Sequence, residues 1–151
     1  MITTIDVIRS MSDLIQENYP QFKLIDYDVN EGFDKPCFFI EPENITTNWI
    51  ASDYLKESSE LNIVFFAEDR YGDLLTLLDM KNNLTLLFDD PLYVTNGETE
   101  YYVSLLTTNS DLYKQDKVLT FNIQADLIQK IKRVDNSPYM EELECNIEGG
   151  K

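Results

Sequence analysis

No histidine occurs among the 151 residues of this sequence. Histidine is the commonest general base and metal ligand in proteins, so its absence removes every Ser-His triad and the side chain that metal sites use most often. Glycine is also scarce, with five residues, and no phosphate-binding loop or dinucleotide fingerprint is present. We therefore expect a protein that is not an enzyme and that holds no cofactor or metal.

Cysteine is limited to Cys37 and Cys145, whose separation matches no zinc-binding or redox motif. Cys37 lies in the apolar run Cys37–Ile40 and is expected to be a buried small hydrophobic residue. No apolar run approaches the ~18 residues that span a bilayer, and the first residues carry no basic signal-peptide region. We expect a reduced protein that is made in the cytoplasm and does not enter a membrane.

Basic residues are few: 12 Lys and Arg face 28 Asp and Glu, which gives a net charge of −16. Such a charge repels nucleic acid, because affinity for a duplex comes largely from cations that neutralise phosphates. The acidic balance has two interpretations. It keeps the protein soluble, or it makes a surface that DNA passes without adhering or that meets a basic partner.

Carboxylates are numerous enough that paired-acid chemistry has to be considered. The adjacent pairs Glu68-Asp69 and Asp89-Asp90 stand at the two ends of a predicted helix, where capping and solvation explain them. Neither pair has the alternating Asp and Asn pattern with a central glycine that calcium loops use. A carboxylate enzyme is therefore the least favoured hypothesis.

Two amphipathic helices are predicted. The first starts at Thr3 with a capping-box-like Asp6 and stops before Pro20. The second covers residues 69–88, with Asp69 as its N-cap and a wide leucine-rich face. The apolar stripe of the first helix consists of Ile5, Ile8, Met11, Ile15 and Tyr19.

Six strands are predicted, and Asn96-Gly97 is the strongest hairpin signal in the chain. Val118–Leu127 has the clearest alternation, with apolar residues on one side and polar residues on the other. Asn109–Lys117 is predicted to be a polar connection. The predicted strands cover residues 22–29, 36–40, 53–66, 92–95, 100–108 and 118–127.

The order of elements is α-β-β-β-α-β-β-β, and runs of strands without βαβ alternation indicate an α+β fold with a mostly antiparallel sheet and two helices packed on it. Residues 1–133 are expected to form one domain. Residues 134–151 form an acidic C-terminal extension, with Ile147 among its apolar anchors, that is either a frayed terminus or an arm that orders on a partner.

Several residues are candidates for contacts with other proteins. The strand 53–66 is polar over its first half, which is typical of an arm that projects beyond its own core, and Trp49 precedes it as a core cap or an interface anchor. Tyrosine is enriched in interfaces. The candidate interface residues are Trp49, Tyr54, Lys56, Glu57, Tyr101, Tyr139, Met140 and Leu143.

A family resemblance rests on a composite of motifs between an N-terminal helix and a Leu-rich helix. The motifs are Tyr19-Pro20, the turn Glu31-Gly32-Phe33, the strand Lys35-Pro36-Cys37-Phe38-Phe39-Ile40, and Phe65-Phe66. In these motifs and in the order of elements to about residue 130, the chain resembles the tail terminators of Gram-positive phages, defective prophages and phage-tail-like bacteriocins. The segment after residue 134 has no counterpart in this resemblance.

The resemblance implies a structural virion protein that closes into a homo-oligomeric ring, a hexamer, at the head-proximal end of the tail. Such a ring would cap the tail tube protein, contact the sheath protein if the tail contracts, and offer a docking surface to the head–tail connector protein. The polar residues Thr120, Asn122, Gln124 and Asp126 would then face a lumen through which DNA passes without specific binding.

Two other functions stay open from the residues alone. The chain is equally compatible with another head–tail joining protein, since the two roles differ only in what they touch. An acidic adaptor that binds a basic protein is the other alternative, and it would be a monomer with one tight partner.

Overall fold

A computed structural model describes residues 1–25, 34–68, 74–113 and 116–132 of the chain. The predicted α+β class and the predicted order of helices and strands are confirmed, with one predicted strand divided in two. In these ranges the helices are α1 (Thr4–Asn18) and α2 (Leu74–Leu87), and the strands are β1 (Lys23–Ile25), β2 (Cys37–Ala51), β3 (Tyr54–Phe66), β4 (Leu92–Thr95), β5 (Glu100–Val103), β6 (Leu105–Tyr113) and β7 (Val118–Lys130).

The main sheet contains five strands in the order β1-β2-β3-β7-β6. β1 runs parallel to β2, and every other neighbouring pair in this sheet is antiparallel. β4 and β5 form a separate hairpin around Asn96-Gly97, as the sequence predicts. The mostly antiparallel sheet is therefore confirmed, with β1 as its parallel exception.

The hydrophobic core lies on one side of the main sheet, where both helices and the β4–β5 hairpin contribute buried residues. We call this side the helix face. The alternation predicted for β7 is confirmed, since Leu119, Phe121, Ile123, Ala125 and Leu127 are all buried there. The opposite side, which carries Thr120, Asn122, Gln124 and Asp126, is called the polar face.

α1 begins where the sequence predicts. The Asp6 carboxylate accepts hydrogen bonds from the backbone N–H and from the hydroxyl of Thr3, both at 2.9 Å. These bonds use donors that a helix start would otherwise leave without a partner. At the other end the helix stops at Asn18, before Tyr19 and Pro20.

The start of α1 is also fastened to the main sheet by two side chains of the helix face. Oε1 of Glu57 accepts hydrogen bonds from the backbone N–H of Thr4, at 2.9 Å, and from the Thr4 hydroxyl. Gln129 both accepts from the N–H of Ile2 and donates to its carbonyl, each at 2.7 Å. The N-terminus therefore has a fixed position over β3 and β7.

The predicted apolar stripe of α1 is partly wrong. Ile5 is 61% exposed, whereas Val7, outside the predicted stripe, is fully buried together with Met11 and Ile15. The hydrogen bonds from Thr4 to the sheet fix the rotation of the helix, and this rotation turns Val7 inward.

The predicted strand 100–108 is wrong in its extent. β5 ends at Val103, and the chain then leaves the hairpin to form β6 in the main sheet. Consequently most of the predicted connection Asn109–Lys117 is strand. The sequence signal is weak because β6 lies at the edge of the sheet, where no residue is buried deeply enough to enforce alternation.

Cys37 is buried at the start of β2, as predicted. Burial raises the pKa of its thiol, against a lowering effect of the neighbouring Lys35 and Lys23. Four predictions lie outside the described residues: the strand end at residues 26–29, the turn Glu31-Gly32-Phe33, the helix cap Asp69 and the extension 134–151.

Candidate assembly surfaces

The polar face carries a row of hydrogen bonds that crosses four strands. Asn122 of β7 donates to the Asn62 side chain of β3 at 2.8 Å, and Asn62 donates to Glu43 of β2 at 3.1 Å. On the other side, the Thr108 hydroxyl of β6 donates to the Asn122 side-chain oxygen. These side chains satisfy one another, so the face needs no covering layer of protein.

The polar face is acidic. The strand register and the bond from Asn62 to Glu43 show which side chains lie on this face. Its four strands β2, β3, β6 and β7 carry more carboxylates than lysines there. The carboxylates are Glu41, Glu43, Glu60, Asp111 and Asp126, and the lysines are Lys56 and Lys130. An anion approaching this face is therefore repelled.

Asp126 is held in its charged form. Its pKa is lowered chiefly by a hydrogen bond from Ser58, and further by Gln124 and by Lys56, whose Nζ lies 3.4 Å from Asp126 Oδ2. Each of these partners favours the carboxylate over the carboxylic acid. The polar face thus keeps this negative charge at any pH near neutrality.

The second surface is the outer part of β2, which extends beyond the core. Residues 41–51 are all exposed, and the described part of β1 pairs with Cys37–Phe39 at the buried base of the strand. The pairing of β2 with β3 has a register shift between Pro42 and Asn44. The partly polar strand β3 backs this arm along its whole length.

Two of the predicted interface residues lie near the end of the hairpin that β2 and β3 form. Trp49 is 40% exposed and Tyr54 is 42% exposed, close to the tip of the hairpin. Large aromatic side chains that keep this much surface in contact with solvent are typical anchors for a partner.

The other predicted interface residues make contacts within the chain. Lys56 forms an ion pair with Asp126, Glu57 binds the start of α1, and the Tyr101 hydroxyl donates to the carbonyl of Ile128. Tyr139, Met140 and Leu143 lie outside the described residues.

The structure adds exposed apolar residues that the sequence did not single out. Ile45 on β2 is 49% exposed, Leu106 on β6 is 62% exposed and Leu86 on α2 is 74% exposed. Ile45 and Leu106 each stand in a stretch without charged residues, and that signal is visible in the sequence.

An exposed pair of tyrosines marks the β4–β5 hairpin. The rings of Tyr93 and Tyr102, opposite each other in the hairpin, have centroids 5.4 Å apart. The pKa of Tyr93 is raised, chiefly by its hydrogen bond with Glu100. Nothing in the described ranges assigns these tyrosines a chemical role.

Neither a metal centre nor a membrane helix is found in the part of the chain that the structure describes. No group of three or more acidic or cysteine side chains there could hold a metal ion. None of the helices in those ranges is long and apolar enough to cross a bilayer. A shallow cleft between α1 and the β1–β2 edge is lined by Ile8, Arg9, Leu24 and Ile40.

A comparison with protein families explains this arrangement. The family model for the phage tail terminator protein matches residues 6–138, which is most of the chain. The chain belongs to the phage tail terminator family. No curated protein matches the sequence.

Membership in the tail terminator family gives the protein a structural role associated with a phage tail. The family consists of structural virion proteins, and its members are located in the virion tail and associate with other tail components. The family match reaches five residues into the C-terminal extension, since it ends at residue 138.

Proposed function

We propose that this tail terminator forms a ring of six copies that caps the head-proximal end of a completed contractile tail tube and ends its growth. The family match over residues 6–138 carries this proposal. The exposed arm of β2 and the polar face of β7 support it, because a ring subunit needs side surfaces for its neighbours and a wettable surface for its opening.

In this ring the polar face lines the lumen. Thr120, Asn122, Gln124 and Asp126 lie on this face, which carries more carboxylates than lysines. DNA that leaves the head would pass such a wall without adhering, since tight binding to DNA requires cations at the phosphates. The net charge of −16 per copy supports the same function.

The other surfaces serve the remaining components of the tail. One end of the ring contacts the tail tube protein and the last ring of sheath protein, and the opposite end offers the docking surface for the head–tail connector. Assembly takes place in the cytoplasm of the bacterial host. The extension 134–151 is an arm for the next component.

The purified full-length protein, mixed with purified tail tubes, provides the test. Electron microscopy of the tube ends and light scattering of the free protein measure where the chain binds and in what number. The proposal expects a cap at one end of each tube and no further elongation when tube protein is added. A monomer that never associates with tube ends, and instead binds one basic protein, would establish the acidic adaptor in its place.

A further inference from the structure

Charged residues are unevenly distributed along the chain. The longest stretch without a charged residue has ten residues, 101–110, and the second longest has nine, 44–52. The remaining 132 residues contain all 40 charged side chains, of which 28 are acidic. At this composition stretches of this length arise by chance, so their significance depends on where the fold places them.

The fold places these stretches at opposite edges of the main sheet. Asn44–Ala51 forms the outer part of β2, and Leu105–Ser110 forms most of β6, which is the last strand on the other side. Residues 44–51 are all exposed and no residue of β6 is buried, whereas Val103 in the longer stretch belongs to the core and Leu105 packs against it. Hydrophobic burial therefore does not explain why charge is missing from residues 44–51 and 106–110.

Both edges lack the side chains that normally prevent strands of different molecules from pairing, although each strand has a register shift there. Exposed edges are usually protected by lysine, proline or inward-pointing charges. Residues 44–51 and 105–110 contain none of these, and both include two successive β-prone threonines, at 46–47 and 107–108. Exposed apolar side chains, Ile45 and Leu106, stand at the two edges.

We propose that the β2 edge of one copy, residues 44–51, pairs with the β6 edge of the next copy, residues 105–110, and that this contact closes the ring. The inference rests on the proposed ring function. Contact between two copies that each carry a charge of −16 is least repulsive where both surfaces are free of carboxylates, and these two edges meet that condition.

The direction of the strands agrees with a cyclic ring. β2 and β6 run in opposite directions within the sheet, because three antiparallel steps separate them. Rotation about an axis roughly along the strands preserves each direction, so β6 of one copy meets β2 of the next as an antiparallel neighbour. The contact is heterologous, and such a contact forms a ring when the rotation closes.

The level of the two edges is also consistent with a closed wall. One row across the sheet pairs Leu105, Ala125, Ser59 and Ile45. From this row the exposed part of β2 extends towards one end of the strands, and most of β6 extends towards the other end. A sheet that closes on itself needs tilted strands with such a stagger.

Two double variants of the full-length protein test the contact. The first places carboxylates on the β2 edge, Thr46→Asp with Asn48→Asp, and the second places them on the β6 edge, Leu106→Asp with Asn109→Asp. The matched control changes one asparagine and one leucine on α2, Asn83→Asp with Leu86→Asp. All six positions are exposed, and circular dichroism with thermal unfolding verifies that each variant folds.

Each edge variant alone should fail to form rings or to cap tubes, while the control assembles like the unmodified chain. An equimolar mixture of the two edge variants should give a one-to-one dimer by light scattering, because one intact contact is left between them. Normal tube caps from either edge variant would overturn the edge pairing and leave the terminator function intact. Unmodified protein that never binds tube ends would instead refute the terminator function itself.

Discussion

Gln129 is the residue that binds the N-terminus most closely to the sheet. Its buried side-chain amide forms two hydrogen bonds of 2.7 Å with the backbone of Ile2. Gln129→Met keeps the volume but leaves both backbone groups of Ile2 without a partner. We expect a loss of about 2–4 kcal/mol in the free energy of unfolding, measured by urea denaturation. The exposed control Gln21→Met should change the free energy of unfolding by less than about 0.5 kcal/mol. Equal losses of stability in Gln129→Met and Gln21→Met would show that the two bonds contribute nothing.

Asp126 makes the stability of the polar face depend on pH at the acidic end. Its pKa is lowered in the folded state, so its contribution is fully present above the ordinary value of 3.8 and is lost as the pH falls through the lowered pKa. Ser58→Ala removes the main cause and should move the pKa of Asp126 back towards 3.8. Carboxyl NMR titration measures the change, with Thr120→Ala as the control. A pKa of Asp126 that is the same in both variants would contradict the assigned role of Ser58.

At the scale of elements, the turn at Asn96-Gly97 fixes the β4–β5 hairpin. Gly97 has a φ of 92°, and the Asn96 side chain accepts hydrogen bonds from the backbone N–H groups of Glu98 and Thr99. A Cβ at Gly97 would meet no atom within 4 Å, so Gly97→Ala adds only backbone strain. We expect a loss of about 1–2 kcal/mol on chemical denaturation. Glu98→Ala in the same turn is the control, and a loss as large as that of Gly97→Ala would indicate that the turn as a whole is sensitive.

The elements that could be predicted from the sequence are those whose pattern is enforced by burial. β7 alternates because its apolar side lies in the core. The β4–β5 hairpin is predicted by Asn96-Gly97. β6 could not be placed, since an exposed edge strand has no buried side to impose a period. Ile5 was assigned to the wrong side of α1 because the rotation of this helix depends on long-range bonds to Glu57 and Gln129.

The same limit applies to the assembly surfaces. The polar side of β7 is readable as alternation. The prediction of the arm is wrong, because the half-polar strand 53–66 is the central strand β3, and the exposed arm is the outer part of β2, where the predicted strand ends at residue 40. Glu57 could not be recognised as a partner of α1, because its contact with Thr4 joins residues 53 positions apart. The order of strands places the two charge-free stretches at opposite edges, and this order cannot be predicted from the sequence.

At the scale of the whole molecule, the acidic lumen predicts how charge reversal affects DNA. Glu41→Lys, Glu60→Lys and Gln124→Lys together leave three carboxylates against five lysines on the polar face, and Gln124→Glu is the control of opposite sign. Short duplex DNA should bind the lysine variant in a salt-dependent manner and should bind neither the control nor the unmodified protein. Equal DNA binding by both variants would mean that the polar face does not determine the interaction.

The proposed ring at the end of the tail tube is tested most directly by an electron cryo-microscopy reconstruction of tube ends mixed with the full-length protein. The predicted result is one closed ring of six copies at the end of the tube, with the polar face of β7 lining its opening. A ring whose opening is lined by the helices, or tube ends that stay bare at saturating protein, would contradict it.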